Sequence, residues 1–339
     1  MTVGMSKWYQ LAGAENDVII STKVSIARNV KEYNFTAKLL PEEKLEIADK
    51  TIDVLESALP GKFVATRMSD FKRDEAISLA ERNMVRPEFV SFAEGRTLIS
   101  TSDESLSIMV CEEDHLKIQA LLPGLELEKA YELSDTLDNI LDDALLFSFD
   151  KKLGYLTQCP TNIGTAMRAS VTMQLPALRT KGQISRLAAT VSKLGLVLTG
   201  AYGEGDDPTG DLYQLCNQVT LGISEQAAIE NLKSISLSII EQERILRAEL
   251  MNSLKFQDTF WRSLGILKNA RVISFEEFMA AVSVIKVGIA SGDVEVPNER
   301  MNELIFTMQP ATLNALYGEA LDRQVRDAKR AEHIRSIFA

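Results

Sequence analysis

The chain has 339 residues, 45% of them hydrophobic and 25% charged, proportions that suit a globular protein of one large domain or two ordinary ones. A formal net charge of −11 excludes a general nucleic-acid binder, because phosphate backbones need a basic surface; it leaves room for a local cationic cluster around a small anion. No apolar run approaches the roughly 20 residues of a membrane span, and Cys111, Cys159 and Cys216 are too scattered for a disulfide framework or a Cys-x-x-Cys zinc site.

The first eight residues carry no apolar signal stretch, and with the cysteine pattern this predicts a cytoplasmic protein with reduced thiols. Residues 41–59 predict a helix: Leu45, Ala48, Ile52 and Leu55 recur at helical spacing, Pro41 suits the first turn and Pro60-Gly61 ends it. A strand is expected over 62–68, then a hairpin of 97–102 and 106–110 turning near Asp103-Glu104. Residues 129–146 form a second amphipathic helix, a third is expected after Thr165, and a fourth over 183–194. Segments 195–201 and 212–221 read as strands, and Ser224 caps a long helix to about Asn252. Beyond about residue 250 the pattern is mainly helical. Strands and helices mix without a βαβ rhythm, which predicts an α+β fold with a largely antiparallel sheet.

The chemistry is carried neither by a Walker loop nor by a Gly-x-Gly-x-x-Gly turn; the glycines at 200, 203 and 205 have the wrong spacing and precede Asp206-Asp207. Two histidines, His115 and His333, offer little for a Ser-His-Asp triad or a His-rich metal site. Four segments stand out when read together. They are Ile20-Ser-Thr-Lys23-Val-Ser25-Ile-Ala-Arg28-Asn29, Cys111-Glu-Glu113-Asp-His115-Leu-Lys117, Cys159-Pro-Thr-Asn162-Ile-Gly164-Thr-Ala-Met-Arg168-Ala-Ser, and Thr199-Gly-Ala-Tyr-Gly203-Glu204-Gly with Tyr213-Gln-Leu-Cys-Asn217 after it.

In order and spacing these segments resemble the bacterial protein-arginine kinases, the protein-directed branch of the ATP:guanido phosphotransferases. That family carries Ser-Ser-Arg-x-Arg-x-x-Arg-Asn, Asn-Glu-Glu-Asp-His-x-Arg, Cys-Pro-Thr-Asn-x-Gly-Thr-x-x-Arg-Ala-Ser and Arg-Gly-x-x-Gly-Glu. The resemblance spans about residues 17–250 and continues more weakly to the C-terminus. It implies a guanido-kinase catalytic domain over 17–250, with a large antiparallel sheet flanked by helices, and a smaller helical C-terminal dimerisation domain over 251–339. The implied activity moves the ATP γ-phosphoryl group onto arginine side chains of proteins, a reaction that is mostly positioning and charge stabilisation. By the same resemblance Glu113 and Glu204 hold the guanidinium and Cys159 lies beside them. The positions that face the nucleotide are Lys23, Ser25, Arg28, Lys117, Arg168 and Thr199. ATP is expected with magnesium, and the implied partners are arginine-bearing protein substrates, an activator protein and Clp protease components in a stress response. Neither nucleic acid nor membrane is expected as a partner.

Departures from the family pattern are as informative. Of five expected arginines only Arg168 remains; Lys23 and Lys117 keep charge without the bidentate fork, and Ser25 and Thr199 have lost it. The family's His-Leu-Ile-Ser-Pro reads Asn83-Met-Val-Arg-Pro87, and a histidine after Arg-Ala-Ser is Gln174. A pseudokinase adaptor that keeps the fold and binds phosphoarginine therefore stands beside the enzyme reading. By default Lys23 and Lys117 are surface lysines, Cys159 is a small buried filler, and Arg28 ties its segment to a carboxylate. In the tail, Arg326-Asp327-Ala-Lys-Arg330-Ala331 matches the family's Arg-Asp-x-x-Arg-Ala, which implies a phosphoarginine pocket formed by Arg326, Asp327 and Arg330. The plain alternative there is an i, i+4 charge array on an exposed helix.

Overall fold

The computed structural model describes residues 6–201, 208–292 and 294–338. In chain order the elements are β1 (Ile19–Arg28), α1 (Pro41–Ala58), β2 (Phe63–Arg67), α2 (Arg73–Glu81), α3 (Pro87–Ser91), β3 (Thr97–Thr101), β4 (Leu106–Val110), β5 (Leu116–Pro123) and α4 (Leu127–Leu145). A two-strand ribbon, β6 (Phe149–Asp150) and β7 (Gly154–Tyr155), leads to β8 (Met167–Gln174), α5 (Pro176–Thr180), α6 (Ile184–Ser192), β9 (Leu196–Gly200) and β10 (Leu212–Asn217). Helices α7 (Glu225–Met251), α8 (Leu254–Asn269), α9 (Phe275–Ser291), α10 (Asn298–Thr307), α11 (Pro310–Tyr317) and α12 (Arg323–Phe338) complete the chain.

Eight strands form one sheet in the order β2-β3-β4-β5-β1-β8-β10-β9, and every neighbouring pair is antiparallel. The α+β expectation is met. The long helix begins where Ser224 Oγ accepts the Ala227 backbone N–H at 3.2 Å, the cap its sequence predicts. The helix expected after Thr165 is instead β8, seated between β1 and β10. Its residues alternate, Met167, Ala169, Val171 and Met173 against Arg168, Ser170 and Thr172, which is the period of a strand with two different faces. Helix returns only at the short α5.

That alternation organises the molecule. On one face of the sheet, Val24, Ile26, Ala169, Val171 and Leu215 join a core closed by α1, α4 and α7. On the other face the register aligns Gln119, Ser25 and Arg168 in one row and Lys23, Ser170 and Cys216 in another. Two smaller cores cover the ends of this polar face. Leu98 and Met109 pack with Leu79, Met84, Val85 and Phe89 from α2, α3 and the turn between them. Leu121 and Leu212 pack with the C-terminal helices through residues such as Phe278, Ile305 and Phe306. What stays uncovered between the two is a cavity. No helix among the described residues is long and apolar enough to cross a membrane.

Candidate active site

The cavity has a volume of about 390 Å³. Its floor is the polar sheet face, with Lys23, Ser25 and Ala27 from β1, Lys117 and Gln119 from β5, Arg168 and Ser170 from β8, and Gln214 and Cys216 from β10. Its walls are two loops and a turn: Arg86 before α3, Glu112 to Asp114 between β4 and β5, and Cys159 to Asn162 before β8.

The β4–β5 turn is built to free one carboxylate. Its Cys111 takes φ 59°, and the Cys111 backbone N–H donates to the His115 carbonyl at 2.8 Å. His115 is fully buried; its Nδ1 accepts from the Val30 backbone N–H at 3.0 Å, so its Nε2–H donates to the Asn34 carbonyl at 2.7 Å. Burial holds that imidazole below its ordinary pKa, and hence neutral. Asp114 accepts from Asn29 Nδ2 and from the Gln158 backbone N–H, both at 2.7 Å, and so joins the turn to the loop that carries Cys159. His115 and Asp114 are thus structural. Between them and Glu112, Glu113 remains half-buried on the cavity wall.

Glu112 meets two cations, Lys117 Nζ at 3.2 Å and Arg86 Nη1 at 3.4 Å. Burial pushes its carboxyl up, but Lys117 and Arg86 outweigh burial and hold it below the usual range. Lys23 lies deeper, and no hydrogen bond joins its ammonium to another described residue. Burial, with repulsion from Lys117 and Arg86 only partly offset by Cys216 and Glu112, lowers its pKa to about 8. A cavity lined by Lys23, Arg86, Lys117 and Arg168 against Glu112, Glu113 and Asp114, with the Lys23 ammonium half-buried and not paired to a carboxylate of the described residues, is complementary to an anion.

Arg168 is the most constrained cation. Its Nε and Nη2 donate to Asn162 Oδ1 at 3.2 and 2.9 Å, and its Nη1 donates to the Asn217 and Gln218 carbonyls at 2.9 and 3.0 Å. It therefore fixes the Cys159 loop against the end of β10. Gly164 permits the same closure: at φ 113° its Cα faces the Thr220 carbonyl, which an added Cβ would meet at 2.1 Å. Cys159 is half-buried, with Sγ 3.1 Å from Thr161 Oγ1.

Of the residues singled out from sequence, Lys23, Ser25, Lys117, Arg168, Glu113 and Cys159 share this cavity. Arg28 does not. Strand alternation turns it to the opposite face, where it is buried, donates to Asp138 Oδ2 from Nη2 at 2.6 Å and from Nε at 3.1 Å, and stacks 3.3 Å over Tyr155. Its Nη1 supports the Cys159 loop from beneath by donating to the Thr165 carbonyl at 3.1 Å. Thr199 is also outside: it is exposed on the edge strand β9, and Gln214, opposite it in register, is the last residue of the cavity floor on that side. Glu204 lies outside the described residues. In the tail, Arg330 is not one of two exposed forks. It is buried, donating to the Met308 and Ile273 carbonyls at 2.8 and 2.9 Å and pairing with Asp327. Arg326 stays half-buried, with its Nε unpartnered. Sequence reasoning missed Arg86, Gln119 and Gln214 as cavity residues, because each reaches the cavity through tertiary packing or strand register and not through a local motif.

Two family profiles match. The one described as ATP:guanido phosphotransferase, C-terminal catalytic domain, covers residues 46–246, and protein-arginine kinase McsB C-terminal domain covers residues 253–339. The chain belongs to the ATP:guanido phosphotransferase family. Two relatives named protein-arginine kinase are those of Desulforamulus reducens, 40% identical over 97% of this chain and 94% of its own, and of Caldanaerobacter subterraneus subsp. tengcongensis, 38% identical over 94% and 96%. Among solved structures, lombricine kinase superposes with a TM-score of 0.61 at 20% identity, covering 69% of this chain and 68% of its own. The duplicated taurocyamine kinase of Schistosoma mansoni, with transition-state-analogue components bound, superposes with a TM-score of 0.63 at 22% identity, covering 78% of this chain and 39% of its own. These structures fix the guanido-kinase fold. The relatives make the chain a phosphotransferase of the protein-arginine kinase type.

Proposed function

We propose that this guanido phosphotransferase moves the terminal phosphoryl group of ATP onto arginine side chains of proteins. The observation that carries the reading is a single cavity that brings together four cations, Lys23, Arg86, Lys117 and Arg168, with Glu113 and Cys159, the residues that the resemblance assigns to the guanidinium. In that arrangement a guanidino nitrogen attacks the γ-phosphorus, the bond from that phosphorus to the ADP oxygen breaks, and the proton leaves to a carboxylate. Glu113 holds the guanidinium in line and is positioned to take that proton. The cations balance the charge spread over the phosphoryl oxygens. Magnesium is expected to arrive on the nucleotide, where it neutralises charge between phosphates. The second carboxylate, Glu204, rests on the resemblance alone.

The test is incubation with ATP, magnesium and an arginine-rich protein, read as acid-labile phosphoarginine. Wild type is expected to form it, and Glu113→Gln to form it about 10²–10⁴ times more slowly while still binding ATP, the usual effect of removing a general base. A wild type that binds ATP and transfers nothing would favour the second reading, a pseudokinase, which the uncharged Ser25 and Thr199 support. The remaining features of the reading are proposals of the same kind: a division near residue 250, a phosphoarginine pocket in the tail, a homodimer, a cytoplasmic setting, and an activator and Clp protease components as partners.

Lys23 gives the nucleotide site a pH signature. Its ammonium binds an anion only when protonated, and its ligand-free pKa is about 8. ATP affinity is expected to fall as pH rises through 8, by up to about tenfold per pH unit, because binding then requires proton uptake. Between pH 8 and 10.5 the unfolded chain keeps the Lys23 proton and the folded one does not, so this residue's contribution to stability rises with pH. Lys23→Met should weaken binding and flatten its pH dependence. Calorimetry with parallel pH profiles for the two proteins would show the assignment to be wrong.

A further inference from the structure

Two of the family's cationic positions are uncharged here, Ser25 on the cavity floor and Thr199 beyond its rim. The cavity nevertheless contains an arginine that no family position supplies. Where the family reads His-Leu-Ile-Ser-Pro, this chain reads Asn83-Met-Val-Arg86-Pro87, so arginine replaces serine. We propose that Arg86 is a phosphate-binding residue of the nucleotide site, delivered from the α2–α3 turn in place of a cation lost from the sheet floor. The inference rests on the nucleotide reading of the cavity and adds a residue to it.

The mounting supports this role. The turn cannot drift, because Met84, Val85 and Phe89 are buried in the small core under α2 and α3. Gln119 Nε2, on the cavity floor, donates to the Asn83 and Met84 carbonyls at 3.1 and 3.2 Å and registers the turn against β5. The Met84 backbone N–H returns to the Leu79 carbonyl at 2.9 Å. With its backbone so held, Arg86 still has a side chain 49% exposed, free to reorient. Its present partners are weak: Glu112 at 3.4 Å, and Glu88 at 3.7 Å on the exposed side. Glu112 also holds Lys117 at 3.2 Å, so one carboxylate is shared between two cations of the cavity. A triphosphate offers these cations a stronger acceptor, and the planar fork of Arg86 suits phosphate better than an ammonium does. Repulsion from Arg86 contributes to the depressed pKa of Lys23, which places both cations within one electrostatic site.

Calorimetric titration of the full chain with ATP–magnesium and with AMP provides the test. Arg86→Ser, which restores the family residue, is expected to weaken ATP binding about tenfold or more, the scale of one charged hydrogen bond, and to weaken AMP binding less. Arg86→Lys should fall between, keeping charge and losing the fork. The same loss should persist in a Glu112→Gln background. If the loss disappears there, Arg86 acts only by positioning Glu112 and the proposal is overturned. Unchanged ATP affinity in a folded Arg86→Ser overturns it as well, and leaves the nucleotide reading intact. Wild type that binds no ATP overturns the nucleotide reading itself, and Arg86 with it.

Discussion

Replacing Arg168 with alanine is expected to lower phosphoarginine formation by about 10³-fold or more, the scale at which a single catalytic arginine acts in phosphoryl transfer. Two losses combine. The cavity loses its one fork on the sheet floor, where the other floor cations are lysines. The Cys159 loop also loses one of its attachments, in which Arg168 bonds Asn162 on one side and the Asn217 and Gln218 carbonyls on the other, leaving Thr220 Oγ1 to hold the Thr161 and Ile163 carbonyls. Arg168→Lys separates the two. A lysine keeps the charge, but a single ammonium cannot reach acceptors on both sides, so the lysine variant should remain impaired by at least about tenfold. Initial rates for the three proteins decide the matter. An alanine variant near the wild-type rate would remove Arg168 from the transfer step; a lysine variant at the wild-type rate would reduce its role to charge.

The sequence was most informative where a local rule sets the structure by itself. Ser224 before an amphipathic run, and Pro41 ahead of another, mark helix starts through backbone donors that need partners, and both helices begin there. The segment after Thr165, expected as a helix, is strand β8, and its residues alternate from Met167 to Gln174 with a period of two. Only sheet neighbours on both sides make that segment a strand. Arg28 shows a different limit. A motif supplies a residue type, but strand parity decides the face, and Lys23, Ser25 and Ala27 face the cavity while Arg28 cannot. Arg86 was hidden for a third reason: it reaches the cavity from a turn about 60 residues away in sequence from the nearest floor cation of β1, so only tertiary packing unites them.

The tail yields the largest expected effect on stability. Arg326 and Arg330 look equivalent in sequence, yet the fold separates their tasks. Arg330 is 1% exposed and joins three elements: α12 through Asp327, the C-terminal end of α10 through the Met308 carbonyl, and the approach to α9 through the Ile273 carbonyl. Arg330→Ala would leave Asp327 facing only the exposed Arg323 at 3.8 Å, and would orphan two carbonyls. Removing one partner of a buried ion pair costs about 3–5 kcal/mol, so this variant should unfold its helical region at clearly lower denaturant than wild type. Arg326 makes a single long bond, 3.5 Å to the Leu321 carbonyl, and has an unpartnered Nε, so Arg326→Ala should leave stability within about 1 kcal/mol. The double replacement of Arg326 and Arg330 is therefore a poor probe of the proposed phosphoarginine pocket, since lost binding would reflect unfolding. Arg326→Ala alone is the clean probe. Wild type should bind phosphoarginine far more tightly than arginine, and the single variant should lose that preference while melting with wild type. If Arg330→Ala proved as stable as wild type, the buried guanidinium would not be anchoring these helices; if Arg326→Ala kept the preference, the pocket would not use Arg326.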